Sequence, residues 1–254
     1  MLRRIRPDLN QRDPDLTSIV IPMLLLNEEL VGLTQICLNS IEQCTPQPHE
    51  VILVDNGSPS EFRDPADLLL DQADVGIRFK ENRGYGPAIN AGFRIAKGLY
   101  LVALNNDAEV VDGWLEAMQL CWKARSGHGK QVGAISAYEI KNDPERRLRC
   151  RDITSRRAPM FGALWMTAWD VIEDIGALDE GYEIGGHEDR DLWERMNHYG
   201  YRLYRSGWCR HANRSTLNCL PEKEMILRRN AERFAEAWGV KRRNEANPAG
   251  KSNG

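Results

Sequence analysis

The chain has 254 residues, of which 42% are hydrophobic, and its 34 lysines and arginines against 37 aspartates and glutamates give a net charge of −3. This composition is typical of a globular protein with one large α/β domain or at most two small ones. No stretch approaches the roughly 18 consecutive apolar residues of a membrane span, which excludes integral membrane synthases. The basic N-terminus is followed by polar residues instead of an apolar segment, so we expect no signal peptide and a cytoplasmic location.

The cysteines and the charge distribution argue against further classes of protein. Six cysteines lie far apart without a C-x-x-C pair. We therefore expect buried, reduced thiols and neither a metal cluster nor a disulfide framework. The near-neutral total argues against a dedicated nucleic-acid-binding protein, although residues 141–157 hold seven basic and three acidic residues, a local excess of positive charge.

The first half of the chain alternates short apolar runs with segments of helical periodicity. This alternation is typical of βαβ units and predicts a mainly parallel sheet flanked by helices. The predicted strands are residues 18–22, 51–54, 77–80, 99–104 and 132–137, and the predicted helices are residues 29–43, 67–71, 87–97 and 113–123.

The second half is less regular. A basic loop at residues 141–157 precedes an apolar stretch at residues 161–169. Helices are predicted at residues 168–175, 188–199 and 223–238, and a strand near residues 201–204. Since both ends of the chain have the composition of tails, we expect an N-terminal arm at residues 1–16, one domain at residues 17–243, and a disordered tail at residues 244–254.

Polar clusters follow three of the predicted strands at the point where each strand ends. They are Asp55-Asn56, residues 82–86, and Asn105-Asn106-Asp107. In open parallel sheets, ligands bind outside the carboxyl ends of the strands. We therefore expect the three clusters to converge on one crevice.

The Asn105-Asn106-Asp107 sequence is typical of a simple turn when it is considered alone. A carboxylate in this position could also hold a hard cation against the oxygens of a diphosphate, because such sites use only one or two protein carboxylates. Asp107 is thus a candidate metal ligand. His211 lies between arginines that suit anionic oxygens, and its neutral imidazole could complete the same metal site.

The segment from Asn82 to Gly92 resembles a phosphate-binding glycine loop at the start of a helix. Its spacing, G-x-G-x5-G, does not match the dinucleotide fingerprint. A tight turn followed by close helix packing explains the segment equally well.

Three carboxylates, Glu188, Asp189 and Asp191, follow two glycines at the predicted start of a helix. The helix dipole favours negative charge there, so capping is one interpretation. Glu188 and Asp191 are three residues apart and are predicted to share one face, with Asp189 pointing elsewhere. One of these acids could act in the cleft while its neighbours order the helix.

Taken in chain order, these clusters resemble the family 2 glycosyltransferases of the GT-A fold. The resemblance covers about residues 17–215 and depends on seven segments in family order and spacing. The segments are residues 18–22 (SIVIP), 54–58 (VDNGS), 82–92, 104–107 (LNND, at the place of the DxD motif), 162–163, 176–181 (GALDEG) and 188–192 (EDRDL).

The resemblance implies a Rossmann-like GT-A fold and an inverting transferase that moves a sugar from a nucleoside diphosphate to an acceptor hydroxyl. Residues 17–138 would bind the nucleotide sugar, and residues 139–243 would supply the acceptor and catalytic half. A divalent cation, Mn²⁺ or Mg²⁺, would be held by Asp107 and His211. Asp189 stands at the position of the general base, between Glu188 and Asp191. The residues implied to bind the donor are Pro22, Asp55, Asn56, Asn82, Arg83, Gly84, Asn90, Asn105 and Asn106.

Two alternatives stay open. The basic segment at residues 141–157 could bind a polyanionic acceptor such as nucleic acid or a lipid diphosphate, or it could be a solvated loop. A binding protein could also keep a nucleotide-sugar pocket without turnover, although such a protein would need neither Asp107 nor Asp189. The sequence does not identify the donor sugar, the nucleobase, the acceptor or the oligomeric state.

Overall fold

The computed structural model describes residues 12–126, 131–140, 150–154, 162–212 and 216–239. Within these residues the chain forms a nine-stranded sheet with helices packed against it. The strands are β1 (Asp13–Met23), β2 (His49–Asp55), β3 (Val75–Arg78), β4 (Gly98–Leu104), β5 (Ala108–Val110), β6 (Val132–Glu139), β7 (Arg151–Asp152), β8 (Leu164–Ala168) and β9 (Arg202–His211). The helices are α1 (Glu28–Cys44), α2 (Arg63–Leu70), α3 (Tyr85–Ile95), α4 (Trp114–Ser126), α5 (Trp169–Ile175), α6 (Glu188–His198) and α7 (Lys223–Trp238).

The sheet has the strand order β3-β2-β1-β4-β8-β6-β9-β5, with β7 paired to β9. The pairs β3-β2, β2-β1, β1-β4 and β6-β9 are parallel. Strand β8 is antiparallel to both of its neighbours, and β5 and β7 are antiparallel to β9. The expected α/β class is confirmed, and the antiparallel pairs are concentrated in the less regular second half.

The predicted elements of the first half all appear, with bounds shifted by a few residues. Strand β1 begins at Asp13, inside the predicted N-terminal arm, because the chain pairs with β4 there. Helix α1 begins after Asn27, whose side chain accepts a hydrogen bond from the backbone N–H of Leu30 at 2.9 Å and so caps the helix.

Sequence analysis missed three strands, β5, β7 and β8, and shortened β9. Strand β8 lies inside the apolar stretch at residues 161–169, to which no strand was assigned. Strands β5 and β7 have three and two residues, too few to show a periodic pattern. Strand β9 was predicted near residues 201–204 but continues to His211, because its second half pairs with β5 and β6. This extension places His211 beside Ala108, the residue after Asp107.

One expectation about the cysteines was wrong. Cys121 in α4 and Cys150 before β7 form a disulfide, with their Cα atoms 5.5 Å apart. The two residues are separated by 29 positions, and only the packing of the β7 segment near α4 brings their Sγ atoms into bonding range. The other four cysteines are free thiols, and two of them, Cys37 and Cys209, are buried as expected.

Several expectations concern residues outside the described part of the chain. They are the first eleven residues of the N-terminal arm, the C-terminal tail, and most of the basic segment at residues 141–157. Of that segment, the structure describes residues 150–154, which include β7.

Candidate active site

A cleft of about 360 Å³ opens where β1, β2 and β4 end. Residues from all three polar clusters line it, as the strand-end rule predicts, and the start of α6 contributes further residues. Of the predicted site residues, those lining the cleft are Pro22, Asn56, Asn82, Asn105, Asn106, Asp107, Glu188, Asp189 and His211.

Asn56 organises the loop that leads into α3. Its side-chain amide donates to Asn82 Oδ1 at 3.0 Å and to the Gly84 carbonyl at 3.1 Å, and its Oδ1 accepts from the Arg83 backbone N–H at 3.0 Å. Gly84 has φ +96°, and a Cβ there would lie 3.1 Å from the backbone of Ile184. The loop therefore needs glycine at this position for both its conformation and its close approach.

Four predicted donor-binding residues do not line the cleft. The carboxylate of Asp55 accepts from the Ser58 hydroxyl at 2.6 Å and from Arg78 Nε at 2.7 Å. Asn90 is buried and joins α3 to the segment before α6, because it donates to the Leu178 carbonyl at 2.8 Å and accepts from the Leu178 N–H at 3.1 Å. The four residues outside the lining are Asp55, Arg83, Gly84 and Asn90.

Asp107 and His211 meet at the edge of the cleft. The Asp107 Oδ1 atom lies 3.0 Å from His211 Nε2, and both side chains are largely buried. Strand pairing fixes the contact, since β5 and β9 align Ala108 with His211, and the Ala212 N–H donates to the Asp107 carbonyl at 3.0 Å. Two residues separated by 104 positions are thus held side by side.

The chemistry of this pair fits a divalent cation. A carboxylate oxygen and an imidazole nitrogen are ordinary ligands of Mn²⁺. Two atoms that bind one octahedral cation side by side stand about 3 Å apart, which is the separation of Asp107 Oδ1 and His211 Nε2. Within the described residues no group of three or more His, Cys, Asp or Glu side chains could hold a metal, so a cation bound here would need ligands from a substrate.

Glu188 and Asp189 bring two carboxylates into the cleft from the first turn of α6. Burial raises the pKa of both carboxyl groups, and the neighbouring Asp189 charge raises the pKa of Glu188 further. Gly162 lies so close that a Cβ on it would be 2.5 Å from Asp189 Oδ2. Two adjacent acids with raised pKa values in a cleft are suited to holding and accepting a proton.

Asp191 points away from the cleft. Its carboxylate accepts from Arg195 Nε at 2.8 Å and from Trp238 Nε1 at 2.9 Å, which ties α6 to α7. We expected Glu188 and Asp191 to share one face of α6, with Asp189 on another. In the structure, Glu188 shares the cleft with Asp189 and not with Asp191, so this expectation was wrong. Glu188 and Asp189 both line the cleft because α6 begins at Glu188, so its first two residues stand at the open end of the helix.

Sequence analysis missed several lining residues that carry no charge. Met23, Leu24 and Tyr85 line the cleft, together with Ile184. Ile184 has φ +49°, a strained conformation for a β-branched residue, and its carbonyl accepts from the Tyr85 N–H at 2.6 Å. Such backbone strain leaves no sequence signal, whereas Tyr85 lies inside the glycine loop that was noted.

This mixed sheet, with a cleft at its strand ends and carboxylates contributed from both halves of the chain, is the GT-A fold of nucleotide-sugar transferases. The sequence model of glycosyl transferase family 2 matches residues 18–162, and the chain belongs to that family. The resemblance noted from the motifs is thereby confirmed.

The individual proteins that match this chain are distant relatives. The chain is 26% identical over 225 residues to polypeptide N-acetylgalactosaminyltransferase 3 of Taeniopygia guttata, covering 74% of this chain and 36% of that protein. It is 31% identical over 106 residues to the glycosyltransferase GlyG of Streptococcus pneumoniae, covering 41% of this chain and 34% of that protein. The chain thus spans about a third of the length of these relatives.

Two of the solved structures that share the fold illustrate the similarity. The crystal structure of GalNAc-T7 with UDP, GalNAc and Mn²⁺ aligns with a TM-score of 0.65 at 17% identity, covering 89% of this chain and 48% of that one. The mannosyltransferase PcManGT from Pyrobaculum calidifontis, in complex with GDP-Man and Mn²⁺, aligns with a TM-score of 0.62 at 20% identity, covering 93% and 67%. None of the helices in the described part of this chain has the length and apolarity needed to cross a membrane.

Proposed function

We propose that this protein is an inverting, metal-dependent glycosyltransferase that moves a sugar from a nucleoside diphosphate to an acceptor hydroxyl. One observation carries the proposal. The Asp107–His211 pair and the Glu188–Asp189 pair line the same cleft, so a cation site and a proton acceptor stand within reach of one substrate.

Asp107 and His211 would hold the divalent cation, Mn²⁺ or Mg²⁺. When bound, the cation neutralises charge on the departing diphosphate, which is worth several kcal/mol. The fold neighbours GalNAc-T7 and PcManGT contain Mn²⁺ together with UDP or GDP-Man, and this supports a cation and a nucleotide at the corresponding place.

The remaining lining residues would position the donor. Pro22 and Asn82 line the cleft and would contact the donor, with Asn56 holding the loop that carries Asn82. Asn105 and Asn106 line the cleft directly before Asp107. The Asn106 amide donates to the Thr34 hydroxyl at 2.8 Å, which fixes its orientation. Asp55, Arg83, Gly84 and Asn90 would act by holding these groups in place.

Asp189 would be the general base. In the transfer step, the acceptor oxygen forms a bond to the anomeric carbon while the bond from that carbon to the diphosphate breaks. The hydroxyl proton passes to the Asp189 carboxylate, and the diphosphate leaves with the bonding electrons. Glu188 stays protonated beside the ionised Asp189, because two adjacent buried carboxylates resist ionising together.

The test starts with binding. UDP and GDP are titrated by calorimetry with and without Mn²⁺, and the wild-type protein should bind one of them in a Mn²⁺-dependent manner. Asp107→Ala should abolish the metal-dependent part, and His211→Ala should raise the Mn²⁺ concentration needed for half-maximal binding. Equal affinities with and without Mn²⁺ in the wild-type protein would contradict the cation site.

Turnover and stereochemistry complete the test. Once a donor sugar is found, NMR of the product shows whether the anomeric configuration has inverted. A retained configuration would contradict the proposed single displacement, in which Asp189 accepts the proton of the acceptor hydroxyl. Binding of donor without any transfer or hydrolysis would favour the alternative of a non-catalytic nucleotide-sugar-binding protein.

A further inference from the structure

The loop at residues 183–187 joins the wall of the cleft to the two acids of α6. Helix α6 begins directly after this loop with Glu188 and Asp189. The loop residues that line the cleft are Ile184, Gly185 and Gly186. The position of the loop therefore sets where both carboxylates stand. We call residues 183–187 the cleft loop.

The backbone of the cleft loop is strained. Ile184 has φ +49°, Gly186 has φ +101° and His187 has φ +79°. Ile184 and His187 carry side chains that disfavour positive φ, and such conformations persist only where the surrounding structure holds them. The cleft loop therefore depends on partners outside itself to keep its shape.

Asn230, in the middle of α7, holds the cleft loop by three hydrogen bonds. Its Oδ1 accepts from the Glu183 backbone N–H at 2.9 Å, and its Nδ2 donates to the carbonyls of Glu183 at 2.7 Å and Gly185 at 3.0 Å. Asn230 is 1% exposed, so these bonds form out of contact with water and are costly to lose. One buried side chain thus fixes the backbone on both sides of Ile184.

The same face of α7 makes further contacts around the start of α6. Phe234 lies four residues after Asn230, and its ring centroid is 5.5 Å from that of His187. Trp238 follows four residues later and donates to Asp191 at 2.9 Å. Residues four apart share one face of a helix. Of these three side chains of α7, Asn230 is the one bonded to the backbone of the cleft loop.

The cleft loop in turn covers Glu188. A Cβ on Gly185 would lie 3.9 Å from Glu188 Oε1 and 3.8 Å from the Cβ of Tyr85. The loop thus stands between the start of α3 and the start of α6, and it shields the Glu188 carboxyl group, which is buried. A displaced loop would admit water to this group and free the first turn of α6 to move.

We propose that Asn230 is a positioning residue for sugar transfer, because by fixing the cleft loop it holds Glu188 and Asp189 in place in the cleft. The proposal rests on the function proposed above. It adds to the machinery a residue that stands outside the lining of the cleft and acts through the loop.

The first measurement needs no substrate. Asn230→Ser removes the amide. Ile226→Ala is the matched control, because it removes apolar packing from a buried position on α7 without removing a side-chain hydrogen bond. Hydrogen exchange of the backbone amides of the cleft loop should become about tenfold faster or more in Asn230→Ser and stay near normal in Ile226→Ala. Unchanged exchange in Asn230→Ser would overturn the proposal.

The second measurement reports on the acids themselves. Burial raises the pKa of Glu188, and the charge of Asp189 raises it further. Tyr85, whose pKa is also raised by burial, stays neutral beside it. In protein labelled with ¹³C-glutamate, the carboxyl signal that disappears in Glu188→Gln gives the pKa of this group.

This pKa should fall by about one pH unit or more in Asn230→Ser, because water then reaches the Glu188 carboxyl group. It should stay unchanged in Ile226→Ala, since a loss of stability alone does not hydrate the group in the folded protein. Faster exchange of the cleft loop with an unchanged pKa of Glu188 would overturn the proposal.

Turnover gives the third measurement. UDP-GalNAc and GDP-mannose are incubated with Mn²⁺ and with water as the acceptor, and the released UDP or GDP is measured. The water oxygen bonds to the anomeric carbon while the bond to the diphosphate breaks, and a water proton passes to Asp189. Asn230→Ser should lower kcat by about tenfold or more, with the KM for the donor within about twofold of normal. Ile226→Ala should keep both values.

Asn230→Asp keeps the test valid if Asn230→Ser fails to fold. Aspartate has nearly the same size and still accepts from the Glu183 N–H, but an ionised carboxylate cannot donate to the two carbonyls. It should therefore speed exchange of the cleft loop and lower kcat in the same direction.

The outcomes separate the two levels of the proposal. Normal kcat in Asn230→Ser beside an active wild-type protein rejects the positioning role alone. A wild-type protein that binds neither UDP nor GDP with Mn²⁺ and releases no nucleotide rejects the proposed function. In that case hydrogen exchange and the titration of Glu188 decide by themselves whether Asn230 holds the acids in place.

Discussion

At the scale of single residues, the proposed chemistry depends on which of three neighbouring acids enters the cleft. Glu188 and Asp189 line it, while Asp191 is held by Arg195 and Trp238. Carboxylates within four residues of one another therefore differ in their surroundings: two line the cleft, and the third ties α6 to α7. Variants that keep the shape of each side chain can separate these roles.

Asp189→Asn should reduce kcat by about 10²- to 10⁴-fold with little change in donor affinity, because the amide cannot accept the acceptor proton. Asp191→Asn is the matched control. It should lower the free energy of unfolding by about 1–3 kcal/mol through its buried contacts while turnover at low temperature stays near normal. Steady-state kinetics and denaturant melts measure both effects. A normal kcat in Asp189→Asn would show that the base is another group.

Glu188→Gln should stabilise the protein at alkaline pH. In the folded protein the pKa of Glu188 lies well above its ordinary value of 4.5, chiefly because of burial and then because of Asp189. The folded state thus keeps a proton that the unfolded chain releases, so the free energy of unfolding falls as the pH rises from 4.5 through the raised pKa. Glutamine has no proton to lose and removes this part of the pH dependence.

Denaturant melts at pH 5 and pH 8 measure the effect of Glu188→Gln. Glu236→Gln, at an exposed position on α7, is the control and should leave the difference between the two pH values unchanged. Parallel pH dependences of the wild-type protein and Glu188→Gln would show that Glu188 is ionised in the fold.

At the scale of elements, the cleft depends on contacts between segments that are distant in sequence. The β5–β9 pairing joins Asp107 to His211. The turn at Gly162, just before β8, closes on Asp189 at the start of α6. The positions of the functional groups thus follow from strand registers and from one close turn.

Gly162→Ala should reduce turnover while leaving the fold intact. The added methyl group would lie 2.5 Å from Asp189 Oδ2, and this carboxylate can rotate away without moving the backbone. Since a displacement of about 1 Å can cost 10²-fold in rate, we expect kcat to fall by tenfold or more with an unchanged melting temperature.

Gly32→Ala is the matched control for Gly162→Ala. Nothing lies within 4 Å of a Cβ at Gly32, in the second turn of α1. This variant should keep full activity and gain about 0.5–1 kcal/mol of stability. Full activity in Gly162→Ala would argue that Asp189 reacts in a different position from the one seen here.

At the scale of the whole molecule, the Cys121–Cys150 disulfide links α4 to the segment that carries β7. The same segment pairs with β9, where Arg151 aligns with Arg205. Cross-linking two distant positions restricts the unfolded chain and so stabilises the folded one.

Without reductant, the denatured protein should therefore show four reactive thiols of its six cysteines, and Cys150→Ser should lower the free energy of unfolding by about 2–4 kcal/mol. Cys219→Ser, at an exposed free thiol, should have little effect. Thiol titration and denaturant melts give the two results. Six reactive thiols would show that Cys121 and Cys150 are reduced, as expected from the sequence.

The sequence by itself determined the α/β class, most helices and strands of the first half, and the family. Buried strands such as β2 and β4 read as continuous apolar runs, and the polar residues after them mark the carboxyl ends where a cleft forms. These signals are local, because hydrophobic periodicity and turn residues act over a few positions of the chain.

Only the tertiary structure decided which of the polar residues face one another. It placed Asp107 beside His211 and joined Cys121 to Cys150. It also directed Asp191, Asp55 and Asn90 to partners outside the lining of the cleft. It also stacked Tyr138 on Trp208 next to two arginines. The physical reason is that each arrangement depends on strand register or on helix packing between segments far apart in sequence, and a shift of one residue in register would turn each side chain to the opposite face.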